Sequence, residues 1–211
     1  MIDLRLHVLT DRKLSLGRSH LEVAQAAIDA GARLIQFREK EMSTREMVET
    51  ARQLRKLTRE SGATLIVNDR LDVALAVDAD GIHVGQDDLP AQIAREFLGA
   101  GKIIGVSAST LDEALRAVQD GADYLGVGPV FATGSKADAG VPIGLEGLAA
   151  IKRHVSIPIV AIGGITHGNL ADVIAAGADG VAVISAVVSQ ADITAATRHL
   201  LETIDRSVAQ Q

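Results

Sequence analysis

The sequence predicts an α/β fold, a single-domain (β/α)8 (TIM) barrel with few insertions, for residues 1–211. Three observations predict it. A small Gly/Ala/Asp turn, a short apolar strand and a polar or glycine-rich ending recur in DAGARLIQFRE (29–39), DADGIHVGQ (78–86), DGADYLGVGPV (120–130) and AGADGVAVISA (176–186). Short apolar runs bounded by turn signals suit strands buried on both faces, as in parallel sheets. Between them lie stretches of helical period, such as SHLEVAQAAIDA (19–30) and TREMVETARQLRKLTRE (44–60). Eight such alternations argue for closure into a barrel. The competing architecture is a doubly wound open sheet, but the first strand lacks the glycine-rich turn of a dinucleotide fold.

In order, strands are expected near 4–10, 33–39, 64–69, 81–85, 103–107, 124–130, 158–163 and 180–185, each followed by a helix, the one after 69 being short. No linker or low-complexity segment interrupts them, and residues 206–211 are expected to fray. Hydrophobic residues make up 47% of the chain and aromatics only 2%, so the core must be built of Val, Ile, Leu and Ala. A net charge of −6 disfavours nucleic acid as a partner. With no cysteine there is no disulfide, thiolate nucleophile or cysteine-ligated metal. Neither a signal peptide nor a membrane-spanning stretch is recognised, which gives the expectation of a soluble cytoplasmic protein acting on small molecules. Homo-oligomerisation is left open.

The second strand carries a contradiction. In LIQFREK (34–40), Ile35 and Phe37 share one face, while Leu34, Gln36, Arg38 and Lys40 share the other. One face of a barrel strand packs on helices and the other points into the lumen. The polar set is therefore expected to rise along the lumen to the C-terminal mouth, where active sites of this fold occur. An Arg and a Lys two residues apart suit a phosphate or diphosphate.

Other strand endings add to this wall. Asn68-Asp69 and Gly85-Gln86-Asp87-Asp88 should be neighbours on the rim, and carboxylates beside a cationic strand end suit Mg2+. Asp69 and Asp88 are the expected ligands, with Asp87 left to solvent. On the far side, Gly163-Gly164 and Ile184-Ser185 end strands seven and eight, a common place for a phosphate site in this fold. The segment GPVFATGSKADAGVPIG (128–144) is expected to close over the mouth and supplies Thr133, Ser135 and Lys136. The histidines show no metal-binding spacing; His83 reads as a packing residue and His167 as exposed. Basic residues in 45–59 alternate with Glu46 and Glu49 as a solvated helix face.

QFREK (36–40), VND (67–69), GIHVGQDD (81–88), GVSA (105–108), GVGPVFATGSK (126–136), AIGGI (161–165) and GADGVAVIS (177–185) together resemble the thiamine phosphate synthase family, in order over nearly the whole chain. The resemblance implies a transferase that joins a pyrimidine diphosphate to a (carboxy)thiazole phosphate and releases diphosphate. By motif position, Gln36, Phe37, Arg38, Glu39, Lys40, Asn68, Ser107 and Lys136 would bind the pyrimidine diphosphate. Arg38, Lys40, Ser107 and Lys136 would serve catalysis. Thr133, Gly134, Ser135, Gly164, Ile184 and Ser185 would receive the thiazole phosphate, and Asp69 and Asp88 would hold Mg2+. Two positions depart from the family: Ser109 stands where many members carry His, and Ser135 replaces the second Thr of a T-x-T-K pattern. The related thiazole tautomerase branch, an isomerase, places a catalytic His where this chain has Pro129. A non-catalytic regulator that binds thiamine precursors is the third reading, but nothing resembling a DNA-reading appendage is present.

Overall fold

Eight strands run parallel in sequence order: β1 (Leu6–Thr10), β2 (Leu34–Phe37), β3 (Thr64–Asn68), β4 (Gly81–Val84), β5 (Ile103–Ala108), β6 (Tyr124–Val127), β7 (Ile159–Ile162) and β8 (Gly180–Val183). Each pairs with the next, and β8 returns to β1 through Leu6↔Val181, His7↔Ala182 and Val8↔Val183, so the sheet is a closed barrel. The computed structural model describes residues 2–136 and 139–209. Helices α1 (His20–Asp29), α2 (Thr44–Ser61), α3 (Leu71–Ala76), α4 (Ala91–Leu98), α5 (Leu111–Gln119), α6 (Gly144–Lys152) and α7 (Leu170–Ala175) each follow the strand of the same number. After β8 come a short α8 (Ser185–Val188) and a long α9 (Ile193–Val208). The expected barrel is thus found. Of the tail expected to fray, residues 206–208 are helical and residues 210–211 lie outside the described residues.

Local sequence explains where helices begin. Ser19 with Glu22, Ser43 with Glu46 and Thr110 with Glu113 form reciprocal capping boxes at the starts of α1, α2 and α5. On α2 the residues Met47, Ala51, Leu54 and Thr58 recur at helical spacing and are buried, while Arg52, Lys56 and Arg59 stay outside. Gly62 ends the helix in the left-handed conformation that glycine adopts without a steric cost.

The internal repeat has a mechanical meaning. Asp80, Asp123 and Asp179 occupy equivalent turns just before β4, β6 and β8. Each carboxylate accepts the backbone N–H of a neighbouring strand: Leu65 at 2.8 Å, Ile104 at 2.7 Å and Ile159 at 2.7 Å. Each also pairs with a cation of a helix: Arg55 of α2 at 2.6 Å, Arg95 of α4 at 2.7 Å and Lys152 of α6 at 2.5 Å. These clips fix strand register at the end of the barrel opposite the mouth.

Inside the lumen, bulk on one strand requires its absence on the next. His83, Tyr124 and His7 meet there, with ring centroids 5.5 Å apart for His83–Tyr124 and 5.2 Å for His7–Tyr124. A Cβ on Gly105 would lie 2.1 Å from Tyr124, and one on Gly126 would lie 2.7 Å from His83. Burial pushes both His7 and His83 down to about 3, so the folded barrel holds them neutral. The unfolded chain binds those protons near the ordinary histidine value, so stability must fall as pH drops below about 6.5, by about 1.4 kcal/mol per pH unit for each ring. Urea unfolding between pH 6.5 and 5, above the carboxylate range, should show this slope, and His7→Leu should remove about half of it. An unchanged slope in that variant would refute the assignment.

Candidate active site

A cavity of about 320 Å³ opens at the C-terminal ends of the strands. One side is lined by Lys40, Asn68, Asp69, Gly85–Asp88, Ser107 and Lys136; the other by Thr133, Ser135, Gly163–Ile165 and Ala182–Ser185. The floor is Gly126, Gly128, Pro129 and Ile162. Two expected groups of anion holders therefore face each other across one space.

The QFREK run is less simple than strand parity suggested. The β1–β2 ladder ends at Thr10↔Phe37, so Arg38, Glu39 and Lys40 stand beyond the strand, where alternation no longer governs them. Only Lys40 of the five lines the cavity, its Nζ 2.5 Å from Asp69 Oδ2. Gln36 keeps the expected lumen parity and is buried. Arg38 is also buried, and its Nη1 is bonded to Asp11 at the end of β1. Phe37 faces the helices, edge-on to the His20 ring at 4.9 Å. Glu39 turns the same way: its carboxylate meets His20 Nε2 at 3.0 Å and accepts the N–H groups of Lys40 and Glu41, both at 2.7 Å. The side chains of Phe37 and Glu39 thus shape the strand end from behind instead of facing the cavity.

Asp69 sits at φ +62°, in the left-handed region that Asp and Asn tolerate better than most residues. Its Oδ1 accepts from Asn68 Nδ2 at 2.7 Å. Burial raises the carboxyl above its ordinary value; Lys40 opposes this, and the neighbouring Asp88 carboxylate adds to it. Asp88 Oδ2 in turn accepts the Gly85 N–H at 2.7 Å. Two adjacent carboxylates held in such tension, with hard oxygen donors only, fit a divalent cation of the Mg2+ type. Among the described residues no cluster of three or more His, Cys, Asp or Glu could hold a metal. Mg2+ commonly completes its shell with water and substrate phosphate, so two carboxylates suffice. Asp87 is exposed, as expected for a solvent-facing residue.

Ser107 is held from below and beside. His83 Nε2 lies 2.9 Å from its Oγ, His83 Nδ1 lies 2.9 Å from Tyr124 Oη, and Gln86 Nε2 donates to its carbonyl at 2.6 Å. His83 is therefore more than the packing residue its strand position suggested; the lumen parity was the available signal. Besides burial, the Lys136 charge helps to keep its ring neutral.

At the opposite side, Ser135 N–H donates to Thr133 Oγ1 at 3.2 Å, and Ser135 Oγ lies 3.4 Å from Ser185 Oγ, which ties the loop after β6 to the start of α8. Gly134 is not among the lining residues. Within the loop expected to close over the mouth, residues 137 and 138 lie outside the described residues. Asn169 fixes the Gly163-Gly164 turn, donating to the Gly164 carbonyl at 3.0 Å and accepting the Thr166 N–H at 2.8 Å. Gly164 has φ +65°, and a Cβ there would meet the Ala132 carbonyl at 2.6 Å and Phe131 Cβ at 2.7 Å. A side chain at 164 would thus disturb the loop after β6 as well as any bound phosphate. His167 is half-buried, not exposed, and stacks edge-on with His199 at 4.4 Å.

Fold and site together define a (β/α)8 enzyme whose cavity at the C-terminal mouth has a cation-and-carboxylate end and a glycine-and-hydroxyl end. The thiamine monophosphate synthase family model matches residues 6–187. The chain belongs to that family. It is 64% identical to the thiamine-phosphate synthase of Chloroflexus aurantiacus over 95% of this chain and 92% of that one. Against the enzyme of the same name from Moorella thermoacetica it is 62% identical over 96% of both. Among solved structures, thiamine phosphate pyrophosphorylase from Pyrococcus furiosus superposes with a TM-score of 0.90 at 48% identity, covering 97% of each chain.

Proposed function

We propose that this protein joins 4-amino-2-methyl-5-(diphosphooxymethyl)pyrimidine to a thiazole phosphate, giving thiamine phosphate and diphosphate. The observation that carries the reading is the two-ended cavity, with Lys40, Asp69, Asp88 and Lys136 opposite Gly164, Ser135 and Ser185. One end suits a diphosphate and the other a monophosphate, so two phosphorylated substrates can be held head to head.

In the reaction, the bond between the pyrimidine methylene and the diphosphate oxygen breaks, and its electron pair leaves with the diphosphate. The aminopyrimidine ring delocalises the positive charge left on the methylene. The thiazole nitrogen then gives its lone pair to that carbon, and no protein nucleophile is needed. Lys40 and Lys136, with Arg38 behind them, stabilise the charge that grows on the leaving group. Mg2+ held by Asp69 and Asp88 would supply further neutralisation of the diphosphate. Ser107, fixed by His83, and Asn68 would orient the pyrimidine. On the other side, Ser135, Gly164 and Ser185 at the start of α8 are suited to the thiazole phosphate. Alignment of the two substrates supplies much of the acceleration.

The isomerase reading asks for a histidine where Pro129 stands, and among the described residues no histidine lines the cavity. A regulator would need no convergence of charge on a leaving group. Purified protein with both substrates and Mg2+ should release thiamine phosphate and diphosphate one for one. Absence of both products, or conversion of the thiazole without the pyrimidine, would sink the proposal.

A further inference from the structure

The loop from Asp11 to Arg18 takes no direct part in the cavity, yet it is built as a rigid block. Both Asp11 oxygens are committed: Oδ2 to Arg38 Nη1, and Oδ1 to the N–H of Leu14 at 3.1 Å. Ser15 is buried, and its Oγ lies 2.5 Å from the Arg18 carbonyl and 3.0 Å from the Arg12 carbonyl, which share its one proton. Arg18 then docks the loop on the end of α8, donating to the carbonyls of Val188 at 3.0 Å, Gln190 at 2.7 Å and Ala191 at 3.3 Å. Ser189 Oγ closes the joint on the Leu14 carbonyl at 3.0 Å. The carboxylate that grips Arg38 is thus fixed to the helix that begins at Ser185, on the opposite side of the cavity.

Among the described residues, Arg38 itself is held at one corner. Its backbone N–H reaches Thr10 Oγ1 at 3.4 Å, its Nη1 is on Asp11, and its buried Nε meets no acceptor from the described residues. A guanidinium is a planar fork, so fixing one corner sets the direction of the remaining donors. We infer that Asp11 is a positioning residue for diphosphate departure: it sets where the Arg38 guanidinium stands when the leaving group binds. The inference rests on the proposed function, in which Arg38 serves the diphosphate.

The test is a double-mutant cycle with Asp11→Asn and Arg38→Met, read by steady-state kinetics and by calorimetric binding of inorganic diphosphate with Mg2+. Asp11→Asn should weaken diphosphate binding and lower kcat by about tenfold each, while the KM for the thiazole phosphate stays within about twofold. In the Arg38→Met background, adding Asp11→Asn should change either quantity by less than about twofold. Losses that multiply in the double variant would overturn the inference. Asp11→Glu guards against a folding artefact, since it keeps the charge but moves the carboxylate by one methylene. It should fold, at a lower unfolding temperature because the extra methylene sits in a buried site, and still lose turnover; wild-type binding and turnover there would also overturn the inference. If the wild type itself neither binds diphosphate nor forms thiamine phosphate, the proposed function has failed, and the inference with it.

Discussion

Asp69→Asn should lower thiamine phosphate formation by at least about a hundredfold, yet unfold no earlier than the wild type in metal-free buffer. The two halves of this result have one origin. Burial and the Asp88 carboxylate raise the Asp69 carboxyl, against the pull of Lys40. A raised carboxyl means that the folded protein binds the proton more tightly than the unfolded chain. Its ionised form therefore costs stability as pH rises from the ordinary carboxylate value through the raised one. Above the ordinary carboxylate value the ionised form carries that cost, and Asn removes it while accepting the left-handed backbone at this position. A divalent cation would relieve the same tension. Mg2+ should accordingly raise the wild-type unfolding temperature and leave that of Asp69→Asn unchanged. Chelation should reduce wild-type turnover to the level of the variant. Full turnover in chelator, with no residual divalent metal, would remove the metal from the proposal.

Much of this arrangement could be read from the sequence, and the rest had definite reasons to be hidden. Short apolar runs marked all eight strands, and small Gly/Ala/Asp turns marked four of them, because a barrel strand is buried on both faces and its turns need particular chemistry. The strand endings that line the cavity followed, since Asn68-Asp69, Asp88, Gly163-Gly164 and Ile184-Ser185 stand at the C-terminal ends of β3, β4, β7 and β8. Hidden were the pairings that depend on register. Nothing local to Arg38 names Asp11, which comes from a different strand end 27 residues earlier. The resemblance counted Glu39 among the residues that bind the pyrimidine diphosphate, yet it is drawn behind the strand by the histidine at the start of α1, whose Nδ1 meets Thr10 Oγ1 at 2.7 Å. The support of Ser107 by His83 was legible only as the lumen parity of the ring. It requires glycine at 105 and 126, on two other strands, to clear space for the ring pair.

Those pairings separate two substitutions that the sequence treated alike. Lys40 is 54% exposed on its side chain and paired only at the surface edge of Asp69, whereas the Arg38 and Asp11 side chains are 10% and 9% exposed. Arg38→Met would leave a buried carboxylate without its counter-charge, a change that typically costs about 3–5 kcal/mol. Lys40→Met breaks a pair that is open to solvent on the lysine side, 54% exposed, though not on the Asp69 side, 17% exposed, so it should cost less than the loss of Arg38. Both variants should lose at least about tenfold in turnover, the equivalent of one charge-assisted contact. Arg38→Met should also melt well below the wild type, while Lys40→Met should not. Lys40→Met is therefore the cleaner probe of chemistry, and the leaving group provides its control. With a pyrimidine carrying a neutral, intrinsically reactive leaving group, the disadvantage of Lys40→Met should disappear, because no diphosphate charge remains for the ammonium to stabilise. An equal handicap with both substrates would show that Lys40 does not serve the diphosphate, and its place at the cation-and-carboxylate end would need another explanation.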